Sequence, residues 1–195
     1  MTITPRLLLA SLLLMSMCGS AAAQRSTRTP APTPSPQVPT IWSGAKPPIG
    51  LQGGAPSIDA LLDRLLAAIK AGDTKAMHAL RLSKVEYTNI IVPGEVPKGQ
   101  PPRATFASVN DTFHGMLDTK SRYAADAILT GFKGKDYVSR ELVMSEPTRE
   151  FAWYTAHGEV RLTLVDAQGS RHLLRTGWIA EVDGQFKFIG FNWDD

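Results

Sequence analysis

Apolar residues recur at helical spacing through Ile58, Leu61, Leu62, Leu65, Leu66 and Ile69, which gives one apolar face and predicts an amphipathic helix. Ser57 stands where a hydroxyl caps the first turn, and Gly72 supplies the left-handed residue that stops it. Asp73 then caps a second, short helix with Ala76, Met77 and Leu80 facing inward. Ser83-Lys84-Val85-Glu86 has the capping-box pattern, in which Ser83 and Glu86 each satisfy the other's free amide. It starts a third helix through Tyr87 and Ile91, stopped at Pro93-Gly94. The stretch PGEVPKGQPPR reads as an exposed loop. A longer helix is predicted from about Ala104 to Leu129, with Phe106, Val109, Phe113, Met116, Leu117, Ala124, Ala127 and Ile128 on one stripe and a bend at Gly115.

After Gly131 the period falls to two. YVSRELVM alternates with Val138, Arg140, Leu142 and Met144 on one side. EVRLTLVD alternates more cleanly, with Val160, Leu162 and Leu164 opposite Arg161, Thr163 and Val165. DAQGS turns into RHLLRTGWIAEV, and Asp183-Gly184 joins that run to QFKFIGFNW, a hairpin signal because the tight turn needs positive φ. Three to four helices followed by about four antiparallel strands in a meander define an α+β domain, with helices over one face of a curved sheet.

Two stretches resemble the NTF2-like superfamily, including its SnoaL-like branch. LLAAIKAGDTKAMHAL is similar to the first helix, Gly-Asp corner and second helix of those domains, and GWIAEVDGQFKFIGFNW to their closing hairpin. The resemblance spans about Ile58 to Trp193. It implies a cone-shaped α+β fold with a cavity between the concave sheet and the long helices, and it implies a homodimer. Family members include isomerases, dehydratases, cyclases, partner binders and domains without activity, so the fold leaves function open. The insertion VPGEVPKGQPPRAT departs from the family pattern.

The N-terminus carries a different pattern. Arg6 followed by the apolar run Leu7 to Met17 and the small residues Ala21-Ala22-Ala23 reads as a secretory signal over residues 1–23, cleaved before Gln24. That apolar run is too short to span a bilayer, and no later segment is long enough. A lipoprotein reading through Cys18, the single cysteine, is disfavoured by Met17 in front of it. Residues 24–56 are rich in Pro, Ser, Thr and Gly and read as a disordered linker, leaving 57–195 as the domain and a secreted or periplasmic location.

Charge changes the picture little. Four of the 21 basic residues, Arg6, Arg25, Arg28 and Lys46, precede Ser57, while all 18 acidic residues follow it, so the domain is near neutral. No basic run with interleaved aromatics points to nucleic acid. Four scattered histidines without HxH, HExxH or a carboxylate cluster make no metal site, and no motif calls for a cofactor.

The candidate chemistry lies on the long helix. His114 and Asp118 are four apart and share a face, an arrangement in which a carboxylate orients an imidazole for proton transfer. Tyr87, Arg140, Tyr154 and His157 are candidate ligand-binding groups: Tyr87 as a donor at a pocket mouth, Arg140 as an anion holder or the partner in a sheet-edge ion pair. His78 and His172 are expected at the surface or rim. Trp178, Phe188 and Trp193 offer apolar area for a twin sheet. The pattern favours an exported, non-catalytic domain that binds a small apolar ligand or a protein partner in the cell envelope. The alternative is a cofactor-free isomerase or lyase using His114 as base and Asp118 to orient it, with Tyr87 or Arg140 on the oxyanion.

Overall fold

A computed structural model of the protein describes residues 41, 43–105 and 113–192. The segment predicted to be a signal sequence, most of the predicted linker, residues 106–112 and Trp193 lie outside the described residues.

The predicted caps form as chemistry dictates. Helix α1 (Ile58–Ala71) begins where Ser57 Oγ accepts from Ala60 N–H and ends at Gly72, whose φ of 65° lets Asp73 N–H reach back to Ala68 at 2.9 Å. Asp73 caps α2 (Thr74–Ala79) by accepting from Ala76 N–H at 2.9 Å. The capping box at Ser83 and Glu86 is present with both of its bonds. It opens α3, residues 84–94, which runs through a π-helical turn at Tyr87–Ile91 before ending at Val92–Gly94. The long helix is predicted from about Ala104, and its residues 106–112 lie outside the described residues. Residues 101–104 are not helical, and a π-helical turn, Phe113–Asp118, leads into α4 (Thr119–Phe132).

Seven strands follow: β1 (Tyr137–Met144), β2 (Arg149–Glu150), β3 (Thr155–His157), β4 (Val160–Asp166), β5 (Arg171–Arg175), β6 (Ile179–Val182) and β7 (Gln185–Phe188). All pair antiparallel, in the orders β1-β4-β5 and β2-β3-β6-β7. The two groups share strand lines. Thr155 faces Glu181 and Val165 faces Arg171 in one unbroken register, so β3–β4 and β5–β6 are each one strand interrupted once. The expected four-stranded meander is therefore present, with a crease across it.

Glycines set the crease. A Cβ on Gly158 would stand 1.9 Å from the Glu146 carbonyl oxygen, and one on Gly177, at φ +137°, would stand 2.3 Å from that of Gly190. The backbones approach so closely there that no side chain fits. The Asp183-Gly184 turn has both residues at positive φ, 48° and 71°, as its dipeptide predicts.

Two apolar clusters hold the domain. The larger joins α1, α2 and α4 to Val160, Leu162, Leu164, Leu174, Ile179 and Phe188. The second joins Leu51, Leu82, Ile90 and Ile91 to Tyr154, Ala156, Ala180 and Val182. Ile179 and Ala180 point to opposite faces, so the β6–β7 end is buried on both sides and not on one face as the pattern suggested. This corrects the place given to Phe188, which is fully buried and offers nothing to a twin sheet.

The edge of β7 is closed as well. Ala55 exchanges both backbone hydrogen bonds with Phe186, Leu82 N–H donates to Phe188, and Phe188 N–H donates to Leu80. Residues 51–55, assigned to the linker by composition, are thus part of the domain, with Leu51 and Ala55 buried. At the opposite edge the register shifts between Tyr137 and Ser139, and Val138 is exposed.

Candidate functional site

A pocket of about 240 Å³ opens between the start of α4 and the segment after β7. Leu117, Trp178, Ile189 and Phe191 form its apolar wall, Gly190 leaves it room, and Lys120 and Asn192 stand at its mouth. The floor is fixed by two contacts: Phe191 N–H donates to the buried Ser121 Oγ at 2.8 Å, and the Phe191 ring packs 5.1 Å from Phe188. Trp178 is steadied by the Arg149 guanidinium, 4.8 Å from the ring centroid.

A second, basic cleft of about 310 Å³ lies on the other side of the same turn of helix, lined by His78, Arg81, Lys84, Phe113, Asp118, Arg122 and Lys187 among others. Arg81 is only 6% exposed. Its Nη2 donates to Asp118 Oδ1 and its Nε to His78 Nδ1 at 3.3 Å, while its buried Nη1 meets no acceptor among the described residues. An unmet buried donor costs about 1–3 kcal/mol. Asp118 Oδ2 accepts from Arg122 Nε at 2.9 Å. Burial pushes the Asp118 carboxyl up, but Arg122 and Arg81 outweigh it and hold it below the usual range. Burial, then the nearby Arg81 and Arg122 charges, push the His78 imidazole down. A neutral His78 accepting at Nδ1 matches that direction.

The structure scatters the residues singled out from sequence. Asp118 is engaged by two arginines. His114 lies in the Phe113–Asp118 turn, but its side chain is outside the described residues. Tyr87 packs in the second cluster with its ring 5.1 Å from Phe113, and burial raises its hydroxyl. Tyr154 is buried and stacked on Phe151 at 4.7 Å, with its hydroxyl pushed strongly up by the same cause. His157 Nε2 meets Glu181 Oε2 at 2.8 Å. Arg140 closes the ion pair foreseen as its alternative, reaching Asp63 at 2.6 Å and Asp59 at 3.1 Å on α1. Among the described side chains, Tyr87 and Tyr154 share a neighbourhood in the second cluster.

Sequence reasoning passed over Arg81, Arg122 and the Leu117–Ile189–Phe191 wall. The Asp118/Arg122 spacing of four was a legible signal for one of them. His172 forms its own carboxylate pair, 2.8 Å from Asp166, whose other contacts are the amides of its own turn, Gln168 and Ser170. Among the described residues no group of three or more His, Cys, Asp or Glu is placed to hold a metal, and no helix is long and apolar enough to cross a membrane. No protein-family model, no curated protein and no solved structure matches this chain.

Proposed function

We propose that the protein is an exported, non-catalytic binding domain of NTF2-like architecture that receives a small apolar or aromatic ligand between Leu117, Trp178, Ile189 and Phe191. The observation that carries this reading is the apolar wall of that pocket, with a buried floor and, among the described residues, Lys120 and Asn192 as its polar lining. Ligand pockets of this kind are mostly apolar, with a few polar groups that orient the guest. Binding is preferred over proton transfer because both oxygens of Asp118 are engaged by Arg81 and Arg122, leaving that carboxylate a poor orienting partner for His114.

Calorimetric titration of the full chain with benzyl alcohol and with indole tests the reading. A Cβ on Gly190 meets nothing closer than Leu117 Cγ at 3.6 Å, so Gly190→Val narrows the pocket with little backbone conflict. The expected result is saturable binding that the variant weakens about tenfold or more. Equal binding by both proteins, or none by either, overturns it.

A further inference from the structure

We infer that the basic cleft between α2, the start of α3 and the start of α4 is an oxyanion site, taking a carboxylate or a phosphate group. Four cations, Arg81, Lys84, Arg122 and Lys187, line it against one carboxylate, Asp118. Three of the four are in ion pairs, with two carboxylates between them. Lys187 is held by both oxygens of Glu86 and by the Gln52 carbonyl, and Asp118 is shared between Arg81 and Arg122. That sharing leaves a surplus of positive charge. Lys84 has no ion pair among the described residues, and Arg122 keeps both Nη groups uncommitted there.

The back of the cleft carries the more specific signal. Arg81 presents a planar fork of donors, of which Nε and Nη2 are taken and Nη1 has no acceptor among the described residues. Because Arg81 is fixed by His78 on one side and Asp118 on the other, its free N–H is preorganised and loses little on binding. Arg81 Nη1 is covered in this structure, so an oxygen with more than one lone pair reaches it by displacing the atoms over it, and there meets Lys84 or Arg122 as well, satisfying the buried donor and the surplus charge together. The site is separate from the apolar pocket and stands or falls without it.

The test is titration of the full chain with sodium phosphate and, separately, with sodium acetate at low ionic strength, followed by amide and arginine side-chain NMR shifts. Saturable shifts that include the Arg81 side-chain signals are expected. Lys84→Gln and Arg122→Gln should each weaken the constant about tenfold, leaving the Arg81–Asp118 pair in place. Saturation by phosphate alone identifies a tetrahedral oxyanion and saturation by acetate alone a carboxylate, and either supports the inference. Absence of saturation up to about 20 mM, or unchanged constants in both variants, assigns Nη1 to a bound water and overturns it.

Discussion

Lys187 and Glu86, 101 residues apart in the chain, form an ion pair inside the domain, with Nζ 3.0 Å from Oε2 and their side chains 5% and 1% exposed. The same carboxylate accepts from Ser83 N–H at 2.7 Å and Gln52 N–H at 2.6 Å. One buried charge therefore ties the incoming segment, the capping box of α3 and the last strand into a single joint. Removing one partner strands the other in a low-dielectric site. Lys187→Met is expected to cost about 3–5 kcal/mol in urea unfolding, and adding Glu86→Leu should recover part of that loss.

Acid should weaken the fold through named groups. Burial raises the Glu86 carboxyl, but the Ser83 and Gln52 amides and Lys187 outweigh it, so its folded pKa is lowered, as is that of Asp118. A lowered carboxylate contributes stability that is complete above the unfolded value, about 4, and is lost as pH falls through the folded one. The lowered His78 adds an earlier decline, beginning as pH drops below about 6.5, where the unfolded chain binds the proton more readily. Urea midpoints from pH 8 to pH 3 should fall in these two stages, and His78→Gln should remove the first.

The crease depends on two glycines for steric reasons. Gly158→Ala drives a methyl into the Glu146 carbonyl oxygen and should cost about 3 kcal/mol. Gly169→Ala is the control. It has positive φ but open space, so it should cost only about 1–2 kcal/mol. Thermal melts should rank the two in that order.

Much of the local structure was legible because its chemistry is local. Ser57, Gly72, Asp73, the Ser83/Glu86 box and the Asp183-Gly184 turn all act within a few residues of themselves. The period-two runs likewise mark the four strand lines. What escaped depends on distant neighbours. Alternation continues unbroken through Gly158 and Gly177, so the crease leaves no mark on the pattern. Lys187 sits in QFKF like a solvent-facing lysine, and the distant Glu86 carboxylate and Gln52 carbonyl make its burial tolerable. Leu51 and Ala55 are too sparse to read as core, because the backbone pairing of Ala55 with Phe186 holds them there. The site was hidden for the same reason: Leu117, Trp178 and Phe191 converge only once the sheet creases.

Arg140 has a structural role, and its variant should behave accordingly. Its partners Asp59 and Asp63 are 80% and 71% exposed, so the pairs are solvent-screened. Arg140→Ala should cost about 1 kcal/mol or less, and the difference should shrink further in high salt. Benzyl alcohol binding should be unchanged in the same variant, as measured by calorimetry.

The measurement that bears most directly on the apolar pocket is methyl NMR of the full chain during addition of benzyl alcohol. Leu117 and Ile189 line the proposed site, whereas Val143 and Leu173 are exposed on the outer strands at 49% and 53%. Saturable shifts of the Leu117 and Ile189 methyls, with Val143 and Leu173 unmoved, are the predicted result. Shifts confined to Val143 and Leu173, or no saturable shift anywhere, would contradict it.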